Sequence, residues 1–217
     1  MEMSFKSESG LEILSFPVGR LQCNCSLIWN PKSQEAILVD PGDQAALIKE
    51  KIQQRGLKLN AIVHTHAHFD HIGASEELHE FSGANLYLHE GDRTLWDNLE
   101  MQGQLFGMQL NPMKSGFLPL ENEQEFLLGS NKMVSLFTPG HTPGSCCFEI
   151  GEFLFSGDTL FKGSIGRTDL WGGDFGQISK SIKSQLYSLD PDTTVIPGHG
   201  PVTQIGIERR QNPFVKI

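Results

Sequence analysis

The sequence predicts an α/β fold in which two sheets face each other and helices cover both outer faces, an αββα sandwich. Three observations carry that reading. Short strand-like runs alternate with helical segments in both halves of the chain. Gly and Pro, 23 and 11 of 217 residues, punctuate those runs as a loop-rich fold requires. The length suits one domain, residues 1–217, with one sizeable core.

In order, Leu11 to Pro17, Gln22 to Trp29 and Glu35 to Val39 read as strands, and Asp40-Pro41-Gly42 stops the third. Gln44 to Arg55 reads as a helix with Leu47, Ile48 and Ile52 on one face, closed by Gly56. Leu59 to His64 is a strand, Ser75 to Phe81 a helix and Asn85 to His89 a strand. Glu100 to Leu120 has no clear period and is either a lid or a packed loop. Met133 to Thr138, Cys146 to Ile150, Glu152 to Ser156 and Thr194 to Ile196 complete the strands. Ile178, Ile182, Leu186 and Leu189 recur at the spacing of an amphipathic surface helix.

Composition narrows the function. A formal net charge of −9 disfavours a nucleic-acid partner, whose phosphates call for a basic stripe. No apolar run reaches a membrane span, and Met1 to Gly10 is too polar for a signal peptide, so a cytoplasmic location is expected. Cys23-x-Cys25 and Cys146-Cys147 lack the spacing of a structural zinc site and read as reduced core residues.

The densest chemistry is His66-Ala67-His68-Phe69-Asp70-His71, directly after the apolar Ala61-Ile62-Val63. Side chains two apart in extended chain share a face, so His66 and His68 suit one ion while Asp70 and His71, after a turn, reach another. His141, Asp158 and His199 likewise sit where strands should stop, and loops at one sheet edge converge on one pocket. Three imidazoles with an anionic oxygen suit zinc, whereas an oxygen-richer second site also accepts iron or manganese. Asp40 is a candidate acceptor for a ligand imidazole or a simple turn residue, and His64 a structural or supporting histidine.

Four segments, Thr65-His66-Ala67-His68-Phe69-Asp70-His71, Thr138-Pro139-Gly140-His141, Ser156-Gly157-Asp158-Thr159 and Pro197-Gly198-His199-Gly200, resemble the metallo-β-lactamase-fold hydrolases over nearly the whole chain. Gly163-Ser164-Ile165-Gly166-Arg167-Thr168-Asp169 and Asn212-Pro213-Phe214 look like the short glyoxalase II-type branch, the hydroxyacylglutathione hydrolase-like proteins. The resemblance implies that His66, His68 and His141 hold one divalent metal, that Asp70, His71 and His199 hold a second, and that Asp158 bridges them. It implies hydrolysis of a small-molecule thioester such as S-D-lactoylglutathione by a metal-bridging hydroxide, with Asp70 and Asp158 the catalytic carboxylates. A thiolate of pKa about 8.5 leaves readily.

Arg167, with Lys162 a weaker candidate, stands where such enzymes place a basic substrate contact; an ion pair with Asp169 or Asp174 is the competing reading of Arg167. Full-length glyoxalase II enzymes carry a further C-terminal helical domain, and this chain ends at Ile217, so glutathione specificity is not expected to be strong. The alternative activity is an iron persulfide dioxygenase using His66, His141 and Asp158. A lactamase is the weaker reading, because that activity generally goes with another ligand where Asp158 stands.

Overall fold

A computed structural model describes residues 2–216. Strands β1 (Met3–Lys6), β2 (Glu12–Val18), β3 (Cys23–Trp29) and β4 (Glu35–Val39) lead into helix α1 (Ala45–Gln54). Then follow β5 (Lys58–Val63), α2 (Phe69–Ile72), α3 (Ser75–Ser82), β6 (Asn85–Leu88), α4 (Arg93–Asp97), α5 (Leu99–Leu105) and β7 (Leu118–Pro119). The second half comprises β8 (Glu125–Leu128), β9 (Asn131–Phe137), β10 (Cys146–Ile150), β11 (Phe153–Gly157), β12 (Leu160–Phe161), β13 (Ser164–Ile165), α6 (Phe175–Ser181), β14 (Thr194–Pro197), β15 (Thr203–Gln204) and α7 (Ile205–Gln211).

The first sheet runs β1-β2-β3-β4-β5-β6-β7 and the second β15-β14-β11-β10-β9-β8, with β12 and β13 a separate ribbon. Alternation along each strand sorts its side chains between layers. Ile37 and Val39 of β4 meet Phe148, Phe153 and Phe155 of the second sheet, while Ala36 and Leu38 face outward to Ile48 and Ile52 of α1. A register shift between Ala36 and Ile37 in the β4–β5 pair places Leu59 and Ile62 on the helix face and Ala61 and Val63 between the sheets. Cys147, Leu154 and Val195 turn to the other outer face, against Ile178, Ile182 and Ile205. The four-layer order predicted from the sequence is present. Cys146 and Cys147 lie on opposite faces of β10, and all four cysteines are buried and unbridged.

The expected strands and the first two helices are found with end shifts of one or two residues. The 178–189 segment differs. Helix α6 starts earlier, where the Asp174 carboxylate accepts from the Gln177 amide (2.8 Å), and passes into a π-helical turn, Ile182–Leu186, leaving Leu189 beyond the helix. Within 100–120, α5 is followed by irregular chain whose Met108, Leu110 and Met113 pack on the core, so most of this segment is a packed loop. The short strands β1 and β8 and the helices α4 and α7 carry no pattern long enough to be read from sequence.

Phe148, fully buried between the sheets, approaches Phe126 edge-on with ring centroids 6.4 Å apart. Phe148→Ala should lower stability by about 3–5 kcal/mol. A lower urea midpoint at unchanged slope would show it, and an unmoved midpoint would contradict this core assignment.

Candidate metal centre

Strands β4, β5 and β6 run parallel, as do β11 and β14, and β9 shares the direction of β11 through the antiparallel β10. Their C-terminal ends open at one edge. That edge receives Asp40 after β4, the 64–71 segment after β5, Asp92 beyond β6, His141 beyond β9, Asp158 after β11 and His199 after β14. Backbone hydrogen bonds tie the two sheets together there, from the Cys146 amide to the Thr65 carbonyl and from the Asn24 amide to the Gly198 carbonyl, each 2.7 Å.

Two groups of donor atoms result. His66 Nε2, His68 Nδ1 and His141 Nε2 lie 2.9–3.3 Å apart. Metal–nitrogen bonds of about 2.0–2.1 Å in tetrahedral array place ligand atoms about 3.3 Å apart. Nitrogens this close without a proton between them repel, so the spacing is that of a cation site. In the second group His71 Nε2 and His199 Nε2 are 3.3 Å apart, and Asp70 Oδ2 is 3.1 Å from His199 Nε2. Asp158 belongs to both, with Oδ2 3.7 Å from His141 Nε2 and Oδ1 3.4 Å from His71 Nε2. Oδ1 is buried and has no hydrogen-bond donor among the described residues. The cluster is capable of binding metal ions.

Each imidazole that turns Nε2 inward has its Nδ1 fixed. His66 Nδ1 meets Thr65 Oγ1 (3.0 Å), whose own hydroxyl donates to Asp40; His71 donates to Asp40 Oδ2 (2.9 Å), His141 to the Arg167 carbonyl (2.8 Å) and His199 to the Leu21 carbonyl (3.1 Å). These partners select the tautomer that leaves Nε2 free. Asp40 therefore accepts from the imidazole of His71, a candidate ligand. It does so from a left-handed backbone conformation, φ 50°, tolerable for Asp, which aims Oδ1 at the Thr65 amide (2.7 Å). His68 instead turns Nδ1 inward, and its buried Nε2 has no partner. A Cβ on Gly198 would collide with Asp158 Oδ1, which explains glycine beside His199.

Burial and the neighbouring imidazoles hold His66 well below the ordinary histidine range and push His68 down to about 3, leaving both in the neutral form that ligation needs. Around His71, burial is outweighed by the Cys23 sulfur and by the carboxylates of Asp158, Asp70 and Asp40, so its affinity for a proton rises. Burial of Asp70 is likewise outweighed by His71 and His199, which hold its carboxyl below the usual range. The second group thus attracts positive charge.

A cavity of about 130 Å³ opens over these atoms, walled by Leu21, Phe69, Phe106, Leu170, Trp171 and Arg167. All seven residues singled out as ligands converge beneath it. Arg167 reaches its rim, yet the guanidinium is engaged two-pronged with exposed Asp169 (2.7 and 2.9 Å); Lys162 is exposed and does not line the cavity. His64 is buried away from the donors, between the Tyr87 carbonyl (2.8 Å) and Ser75 Oγ (2.7 Å), and burial drops its pKa to about 4.

Two residues that sequence reasoning missed hold the ligand loops. Asp92, fully buried, accepts from the Ala67 amide (2.9 Å) and Thr142 Oγ1 (2.8 Å) through Oδ2 and from the Gly144 amide (2.7 Å) through Oδ1. Gln102 accepts from the Phe69 amide (3.1 Å) and donates to the Ala67 carbonyl (2.9 Å). The one available signal was that Asp92 follows a strand whose C-terminal end lies at this edge.

Comparison with known proteins fits this geometry. The family model of the metallo-beta-lactamase superfamily matches residues 18–199. The chain belongs to that superfamily. It is 39% identical to the hydroxyacylglutathione hydrolase GloC of Haemophilus influenzae, over 94% of this chain and 98% of that protein. Among solved structures it is similar to the BLEG-1 B3 metallo-beta-lactamase (37% identity, TM-score 0.86, 94% and 99% of the two chains) and to TTHA1623 in a di-iron-bound form (39%, 0.84, 92% and 98%). This superfamily member has homologues among metallohydrolases, which supports its being an enzyme.

Asp40→Ala should weaken metal affinity about 10–100-fold, because His71 loses the acceptor that orients it; competition with a chromophoric chelator measures this, and wild-type affinity would contradict the role. Asp92→Asn should cost about 1–3 kcal/mol, since an amide keeps one acceptor oxygen and turns its NH2 toward the donor or donors on the other side, leaving at least one buried N–H or O–H without an acceptor. Unchanged thermal and urea unfolding would count against the clamp.

Proposed function

We propose that this superfamily member hydrolyses thioesters, S-D-lactoylglutathione or a related hydroxyacyl thioester, with two divalent ions, zinc first and iron or manganese as alternatives. His66, His68 and His141 would hold one ion, Asp70, His71 and His199 the other, and Asp158 both. The observation that carries this is Asp158, one oxygen turned toward each donor group and Oδ1 left without a hydrogen bond. A persulfide dioxygenase would use one ion, on His66, His141 and Asp158, with the second-group residues retained, so metal stoichiometry separates the two readings. The name of GloC and the di-iron form of TTHA1623 support activity and metal count respectively.

Held by these residues, two such ions would supply a water acidic enough to ionise near neutral pH and a Lewis acid for the carbonyl oxygen. The chain's residues do the rest. Asp40 and the Arg167 carbonyl keep His71 and His141 oriented. Phe69, Phe106, Leu21 and Trp171 wall the cavity with apolar surface and so restrict bulk water. Hydrolysis forms a C–O bond and breaks the C–S bond, and the sulfur needs no strong acid because a thiolate is a stable leaving group. Asp70, kept ionised by His71 and His199, orients rather than donates a proton.

We place the protein in the cytoplasm, where the four unbridged cysteines stay reduced, acting on a small molecule rather than on nucleic acid or a membrane. No helix among the described residues is long and apolar enough to cross a membrane. The BLEG-1 likeness favours a second reading, opening of a β-lactam ring by the same two ions.

The test is elemental analysis of protein purified without chelator, followed by assay of lactoylglutathione, a lactoyl thioester of a truncated thiol, and a chromogenic β-lactam. Two equivalents of metal and thioester turnover are expected. Asp158→Asn should reduce kcat far more than His64→Ala does. A reproducible single equivalent that added zinc, iron or manganese does not change, or turnover of the β-lactam alone, would overturn the reading.

A further inference from the structure

A second, larger cavity of about 490 Å³ adjoins the metal pocket. It falls within the roughly 300–1,000 Å³ of small-molecule sites, whereas the 130 Å³ over the donor atoms has room for little beyond a reacting group. Trp171 lines both spaces, its ring centroid 5.9 Å from that of His68. The remaining walls are the loops that carry the ligands. Pro143 lies two residues beyond His141, and Gln102 is bonded to the backbone on either side of His68. Thr94, Leu95 and Met101 also line the cavity, and no lining residue is charged.

That chemistry conflicts with a tripeptide thiol. Glutathione brings two carboxylates and an ammonium, none of which finds a counter-charge in this cavity. Among the residues lining the metal pocket, Arg167 alone has a permanent positive charge, and Asp169 already neutralises it. Met101 (57% exposed) and Phe106 (44%) extend the apolar surface from the two cavities to the rim.

We propose that the larger cavity binds an uncharged, apolar substituent of the thioester, so that the preferred substrates carry a hydrocarbon or aryl group beside the C–S bond. This rests on the thioester reading, keeps its chemistry, and replaces its charged glutathione substrate with thioesters that carry an apolar substituent. The substituent reaches the cavity past Trp171 from the carbonyl carbon or from the sulfur; both present the same chemistry to the wall.

Four thioesters separate the cases: hexanoyl-N-acetylcysteamine, acetyl hexanethiol, acetyl-N-acetylcysteamine and lactoylglutathione, assayed on the metal-loaded full chain. Either hexyl substrate should exceed both others at least tenfold in kcat/KM, and the better of the two identifies the acyl or thiol side. Thr94→Trp, which fills the cavity, and Met101→Lys, which charges it, should each cut that advantage to threefold or less. Calorimetric binding of the non-hydrolysable S-hexyl-N-acetylcysteamine, at least tenfold tighter than its S-methyl counterpart in the wild type, should weaken tenfold in both variants. Hydrolysis with no gain from the hexyl group, or a gain that neither variant diminishes, overturns the cavity assignment and leaves the thioester reading standing. Chain-dependent binding that both variants abolish, with no thioester hydrolysed, upholds the assignment and overturns the reading on which it was placed.

Discussion

The structure is organised around a cluster that its own electrostatics oppose. His66, His68 and His141 turn unshared electron pairs toward one another at 2.9–3.3 Å, and Asp158 adds an oxygen with no donor. Desolvation of such groups is costly, and only positive charge offsets it. The arrangement must therefore be imposed from outside the cluster. Asp40, the Thr65 hydroxyl, the carbonyls of Arg167 and Leu21 and the clamp at Asp92 impose it through hydrogen bonds that the ligands cannot rearrange without losing.

Those holding groups depend in turn on strand direction. A side chain at the C-terminal end of a strand is fixed by the sheet below it, whereas one in mid-loop pays the entropy of its whole segment. Asp40 and Asp158 follow directly on β4 and β11, the 64–71 segment on β5, and His199 follows β14 with one residue between. The Cys146–Thr65 and Asn24–Gly198 backbone bonds then join the sheets where their ligands meet. Packing between sheets, centred on Phe148 and Phe155, thereby sets the distance between His66 and Asp158.

What was legible in the sequence follows the same division. Strands of five residues or more with mostly buried side chains, such as β5 and β11, announce themselves as apolar runs, and the candidate ligands that follow them keep a spacing that sequence preserves. The convergence of the seven candidate residues at one edge was readable for that reason, whereas Asp40 stood open between an acceptor for an imidazole and a turn residue, which its bond to His71 decides. Asp92 was not, because its partners at Ala67, Thr142 and Gly144 are backbone and hydroxyl groups that any sequence supplies. The helix through 178–189 was readable in its apolar spacing but not in its π-helical turn, which keeps Ile182 and Leu186 buried while shifting the backbone register. The two-residue strands lie below the length at which alternation carries information.

Chemistry and selectivity occupy different parts of the chain. The donor residues follow strand ends or, for Asp70 and His71, sit on α2, and four of the imidazoles are held through Nδ1 by hydrogen bonds, so they tolerate little change. The walls of the larger cavity come from α4, α5, the turn after His141 and the loop holding Trp171. Within these segments Thr94, Asn98 and Met101 make no hydrogen bond that fixes a candidate ligand. Substitution there alters which substituent is held without moving the metal donors. A fold built this way keeps one hydrolytic centre while its substrates change with a few wall residues, which is how membership of a superfamily fixes the reaction class more firmly than the molecule consumed.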